Sequence, residues 1–141
     1  MIPARQLLWV KSSLLGITVV AVDQLTKYYA QRNFFFGAKI VYNSGLPFGV
    51  GGSEFFSLAI VTASLLIFIF LYLRFWPRAE SHLGLALIVG GALSNIFDRI
   101  QDGAVIDFIP LWATTLNMAD LAIMGGILVL ILNIKKSKIK N

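Results

Sequence analysis

The chain has no cysteine and, among its 141 residues, a single histidine, His82. The first absence excludes a disulfide framework, a thiolate nucleophile and a Cys-type zinc site; the second excludes a His-rich metal centre. Neither a metal nor a cofactor is expected. Charge is scarce too: 13% of residues are charged and seven are acidic, against 57% hydrophobic and a mean hydropathy of +0.79. This is far from a soluble composition and reads as one integral membrane domain, 1–141. The net charge of +5 raises nucleic acid as a partner. The basic residues, however, sit at the ends of apolar runs and in the tail Lys135, Lys136, Lys138 and Lys140, as anchors facing anionic lipid do. Membrane lipids are therefore the expected partners, and nucleic acid is not.

What is abundant is apolar sequence, in four runs. The first, about 8–29, carries Lys11 near its start, where the side chain can snorkel, and contains Asp23 and Lys27. A cleaved signal peptide is the alternative for its beginning, since Arg5 and Lys11 precede an apolar stretch. No A-x-A-like cleavage site follows, and the helical pattern runs on to Tyr29. The second run, 55–75, has Arg74 as its only charge and stops at Trp76-Pro77. The third, about 83–99, is rich in Gly and Ala and must include Asp98 and Arg99 to span, so it belongs inside the bundle where small residues let helices approach. The fourth, about 118–135, must borrow Asn117 to Asp120. Between the first two runs, in 30–54, Phe34-Phe35-Phe36 and Lys39-Ile40-Val41-Tyr42 read as short strands with turn chemistry from Asn43 to Gly45; an interfacial aromatic loop is the other reading. The expected fold is an all-α membrane protein, a four-transmembrane-helix bundle with a small extracytoplasmic β-sheet between helices 1 and 2 and a second outer loop at 100–117. Four spans put both termini on one side. That side holds eight of the twelve Lys and Arg residues, so both termini are expected in the cytoplasm.

Asp23, Asn43, Asp98, Asp107 and Asp120 then converge at the outer face. A carboxylate beside the hydrocarbon core is costly unless it is paired, hydrated or used. Asn95, Asp98 and Arg99 stand at i, i+3 and i+4, so Arg99 can hold Asp98 ionised in a supporting plug. Asn117 is a good N-cap for the last helix and puts Asp120 in its first turn, where the helix dipole favours charge. Asp107 instead lies in the strand-like segment Val105-Ile106-Asp107-Phe108, where desolvation favours the protonated form. Two carboxyls whose environments push their proton affinities apart are what acid/base hydrolysis needs. The expectation is an ionised Asp120 and a protonated Asp107.

The series Asp23-Gln24-Leu25-Thr26-Lys27, Asn43-Ser44-Gly45, Gly90 to Arg99, Val105 to Phe108 and Asn117-Met118-Ala119-Asp120, in that order, resembles the motifs of the bacterial lipoprotein signal peptidase (signal peptidase II) family. The resemblance implies an intramembrane aspartic endopeptidase of the bacterial inner membrane that removes the signal peptide from diacylglyceryl-modified prolipoproteins, cutting before the lipidated cysteine. It implies Asp107 and Asp120 as the catalytic pair. Asp23, Lys27, Asn43, Gly45, Asn95, Asp98, Arg99 and Asn117 are implied as supporting or substrate-binding residues. A prolipoprotein is the implied partner, with the enzyme acting as a monomer. Pro47, Ser94 and Leu116 depart from the family's usual residues, and none of the three is a proposed catalytic carboxyl. The Gly-rich stretch from Asn43 to Gly52 reads as a lid over the substrate.

Two readings from other classes compete. A small four-helix transporter fits the size, but transporters gather polar groups near the midplane, and here they gather at one rim. A non-catalytic scaffold would explain the Gly-rich helices and leave Asp107 and Asp120 without a role. A serine peptidase would need a base near Ser94, and His82 belongs to the other side.

Overall fold

The computed structural model describes residues 4–32, 39–45, 54–75, 82–112 and 114–139. Four helices, α1 (Ala4–Gln31), α2 (Glu54–Phe75), α3 (His82–Asp102) and α4 (Met118–Ile139), carry almost all of the regular structure. In a hydrocarbon solvent the backbone must satisfy its own hydrogen bonds, so the apolar runs fold as continuous helices. Gln6–Gln31, Phe55–Arg74 and His82–Asp102 are long and apolar enough to cross a membrane, and Met118–Asn133 is a shorter apolar helix. α2 is the most apolar of them and shows Phe55, Leu66, Ile67 and Phe70 on its outside, as a lipid-facing helix does.

α3 is the centre of the bundle, packed between α1 and α4, and its sequence explains why. One stripe of α3, at spacing i, i+4, i+8, is Gly90, Ser94 and Asp98, and it meets α1. A Cβ on Gly90 would stand 2.7 Å from the Gly16 carbonyl oxygen, so the two backbones touch there. A second stripe meets α4. A Cβ on Gly84 would lie 2.8 Å from the Gly126 oxygen, and one on Gly91 2.5 Å from the Ala119 oxygen. Without a hydrophobic drive between helices in lipid, such close approach supplies the packing and brings polar side chains within reach of one another. At the far end of α3 His82 is buried against Trp9, ring centroids 4.3 Å apart. α3 closes at Gly103, whose φ of 71° suits the left-handed position after a helix.

The expected small sheet is present, and the structure fixes the strand bounds and the pairing that the sequence leaves open. Strand β1 covers Val41–Asn43, so Asn43 is in the strand and not in the turn after it; Phe34-Phe35-Phe36 lies outside the described residues. Among the described residues β1 has no partner within its own connection. It pairs antiparallel with β2 (Val105–Asp107), from the α3–α4 connection, in the register Val41↔Asp107, Tyr42↔Ile106, Asn43↔Val105. A strand needs an opposing edge for its N–H and C=O groups, and β2 supplies one directly beyond the end of α3. A second ribbon, β3 (Ile109–Leu111) with β4 (Thr114–Leu116), fills the rest of that connection. It turns at the fully exposed Trp112, held at a φ of 49°, and it joins Asp107 to Asp120 along the chain.

Candidate active site

Four contacts fix the base of the site. Lys27, 2% exposed, lies between the carboxylates of Asp23, one turn earlier on α1, and Asp98 on α3, at 2.5 Å from each. Gln24 Nε2 donates to the other oxygen of Asp98 at 2.6 Å and to Ser94 Oγ at 3.0 Å. Arg99, expected as the partner of Asp98, is not. Neighbours on a helix point about 100° apart, so Asp98 turns to α1 while Arg99 turns away. The Arg99 guanidinium donates to Ser57 Oγ at 3.3 Å, to the Asn95 carbonyl at 3.2 Å and, weakly at 3.5 Å, to the Gly45 carbonyl. Ser57 Oγ donates to the same Gly45 oxygen at 3.3 Å, so α2, α3 and the chain two residues past β1 are tied at one point.

Above this base stand three asparagines whose amide orientations follow from their partners. Asn95 Oδ1 accepts from Lys27 Nζ (3.2 Å) and from Asn117 Nδ2 (3.1 Å). Its Nδ2 must then face Asp120, to which it donates at 2.9 Å. Asn117 Nδ2 also donates to Asp107 Oδ1 at 2.7 Å, while its Oδ1 accepts the Asp120 N–H at 2.9 Å. The Asn117 backbone N–H reaches Asp120 Oδ2 at 3.3 Å, completing a reciprocal cap of α4. Asn43 Nδ2 donates to Asp107 Oδ2 at 3.2 Å. Asp107 on β2 and Asp120 on α4 are thus linked through one residue, the completely buried Asn117, whose side chain donates to the Asp107 carboxyl and whose backbone N–H donates to the Asp120 carboxyl.

Neutral amides, not cations, hold the two carboxyls. Burial pushes the Asp107 carboxyl up to about 6; the hydrogen bond from Asn43 opposes this, the charge of Asp120 adds to it, and Asn117 and Lys27 oppose it more weakly. Arg99 is close enough to feel Asp107, Asp120 and Asp98 electrostatically, yet it spends its hydrogen bonds on a hydroxyl and carbonyls. Among the described residues no three of His, Asp or Glu converge as a metal would need. His82 starts α3, twelve residues before Ser94, or roughly 18 Å along the axis, so the Ser94 hydroxyl has no imidazole beside it. An apolar groove of about 280 Å³ between α1 and α3, lined by Trp9, Ile17, Val89 and Leu93 among others, includes none of the polar cluster.

The structure brings Asp23, Lys27, Asn43, Gly45, Asn95, Asp98, Arg99, Asn117, Asp107 and Asp120 into one network. The sequence reasoning missed Gln24, Ser94 and Ser57. Gln24 and Ser94 sit inside motifs already singled out; Ser57 lies in the most apolar run and carries no signal of its own.

A cluster of buried carboxyls and amides at one end of a four-helix membrane bundle defines the protein as a multi-pass membrane protein with the makings of acid/base chemistry. Comparison with known proteins sharpens this. The family model for signal peptidase (SPase) II matches residues 15–136, and the chain belongs to that family of membrane peptidases. It is 37% identical over 132 residues to the lipoprotein signal peptidase of Moorella thermoacetica, covering 83% of this chain and 87% of that one. It is 35% identical over 144 residues to that of Wigglesworthia glossinidia brevipalpis, covering 89% and 94%. A bacterial membrane enzyme solved by the in meso method at 2.3 Å shares the fold, with a TM-score of 0.74, 23% identity, and 91% of this chain and 89% of that one covered.

Proposed function

We propose that the protein removes signal peptides from diacylglyceryl-modified prolipoproteins, cutting before the lipidated cysteine, with Asp107 and Asp120 as an aspartate pair that activates water. The observation carrying this reading is the bridge at Asn117: two carboxyls from different elements are held together by neutral donors, while the nearby ammonium of Lys27 is engaged by Asp23 and Asp98. Asp120, ionised, takes a proton from a water that attacks the scissile carbonyl carbon. Asp107, whose proton affinity is raised, gives its proton to the carbonyl oxygen. The resulting gem-diol then collapses: the ionised Asp107 takes back a proton from one hydroxyl as the C=O bond re-forms, the C–N bond breaks, and the proton held by Asp120 passes to the leaving amine, so both carboxyls return to their starting states. An apolar substrate arriving from lipid would exclude water from Asp107 and raise its proton affinity further.

In this reading the dyad faces the outside of the bacterial inner membrane and both termini face the cytoplasm. The enzyme works as a monomer among membrane lipids, on a substrate that enters laterally. The test is cleavage of a diacylglyceryl-modified precursor peptide by the purified protein, Asp107→Asn and Asp120→Asn in one detergent. Cleavage before the lipidated cysteine by the parent, with both folded variants silent, is the expected result. Near-normal turnover by either variant refutes the dyad, and a silent parent refutes the activity.

A further inference from the structure

Serines inside a helix usually return their hydroxyl to the carbonyl one turn back. The two α1 threonines do this: Thr18 Oγ1 bonds the Leu14 oxygen at 2.8 Å and Thr26 Oγ1 the Val22 oxygen at 2.9 Å. Ser94, fully buried on α3, does not. Its Oγ donates across the helix interface to Asp23 Oδ2 at 2.8 Å and accepts from Gln24 Nε2 at 3.0 Å. The direction of this chain is set by chemistry: an amide NH2 only donates and a carboxylate only accepts, so the hydroxyl proton must point at Asp23. The other oxygen of Asp23 accepts the backbone N–H of Ala119 at 2.8 Å, and Ala119 is the residue before Asp120. With the close Gly91–Ala119 approach, this bond sets the position of the first turn of α4.

We propose that Ser94 is a positioning residue: its hydroxyl orients the Asp23 carboxylate, which through the Ala119 N–H holds the first turn of α4 and so the Asp120 carboxyl. Asp23 has two tasks, an ammonium on one oxygen and a helix N-terminus on the other, and Lys27 alone leaves the carboxylate free to rotate about its Cβ–Cγ bond. The Gln24–Ser94 pair removes that freedom. The inference rests on the reading of Asp120 as a member of the dyad.

Met118-Ala119 is the one Met-Ala pair in the sequence, so the full chain labelled with 13C-carbonyl methionine and 15N-alanine gives a single correlated amide signal, that of Ala119. Ser94→Ala is expected to move this amide proton upfield and speed its hydrogen exchange at least tenfold. It is also expected to lower kcat on the lipidated precursor peptide about tenfold with KM within twofold of the parent. Gln24→Leu, which leaves the hydroxyl in place but frees it to turn, is expected to act in the same direction and less strongly, and it decides the matter if Ser94→Ala fails to fold. Ser13→Ala, on the exposed side of α1, is expected to change neither readout. An unmoved Ala119 signal, or a moved signal with unchanged kcat, overturns the proposal. If the parent cleaves nothing, the dyad reading fails, while the amide signal still decides whether Ser94 governs the α4 turn.

Discussion

Lys27→Met tests whether the base of the site is an ion triad or merely a crowded polar plug. Methionine keeps most of the length and removes the charge, leaving the Asp23 and Asp98 carboxylates, 0% and 2% exposed, with no cation between them. At the 2.5 Å separations found, each ion contact is worth on the order of 7 kcal/mol at an effective dielectric constant of 20. Desolvation of the charges offsets most of that, and breaking a buried pair by removing one partner costs about 3–5 kcal/mol net. Asn95 Oδ1 loses a donor in addition. The assay is denaturant or thermal unfolding of the purified protein in one micelle, in parallel with Asp98→Asn and with the double variant. Lys27→Met is expected to lose about 3–5 kcal/mol. The double variant is expected to recover roughly 2 kcal/mol of this, since it removes the second uncompensated charge. A loss below about 0.5 kcal/mol for Lys27→Met, or no recovery in the double variant, would refute the reasoning.

Other consequences concern the carboxyl pair and the helix contacts. With Asp107 raised to about 6, its proposed role as proton donor requires kcat/KM to fall above pH 6 in the free enzyme, and Asn117→Ala, which removes a bond that lowers this value, should move that limb upward. The same variant loses the α4 cap and a donor to a buried carboxyl, about 2–4 kcal/mol together by thermal unfolding. Because the folded-state value of Asp107 lies above the usual 3.8, its contribution to stability is full below pH 3.8 and is lost as pH rises through 6. The unfolding midpoint of Asp107→Asn minus that of the parent should therefore be larger at pH 8 than at pH 5; a pH-independent difference counts against burial as the cause. Gly91→Ala would drive a Cβ to 2.5 Å from the Ala119 oxygen, and about 1–3 kcal/mol of destabilisation is expected. Gly125→Ala meets nothing within 4 Å and should stabilise by about 0.5–1 kcal/mol in the same assay.

Much of this architecture can be read from residues alone, because it follows from one-dimensional rules. Apolar runs of spanning length require helices, and a run as short and Gly-rich as Leu83 to Phe97 belongs in the middle of a bundle, where α3 is found. Asn117 is legible as a cap because capping involves only residues three apart. The strand character around Asp107 is likewise local, carried by Val105 and Ile106. What that kind of reading handled less well was any choice between partners far apart in sequence. Arg99 looked like the counterion of Asp98 by spacing, and nothing in the residues around β1 names β2 as its partner.

Composition, run length and the order of the polar motifs by themselves determine a membrane protein of four helices with its acidic residues gathered at one end. The tertiary structure alone decides that Lys27, 71 residues away, neutralises Asp98; that β1 pairs with the strand carrying Asp107; and that Asn117 joins the two carboxyls. Periodicity assigns a side chain to a face of its helix, whereas a hydrogen bond requires the rotation and separation of two helices to within a few tenths of an ångström. Those are set by backbone contacts at Gly16–Gly90, Gly84–Gly126 and Gly91–Ala119, and such contacts exist only once the bundle has closed.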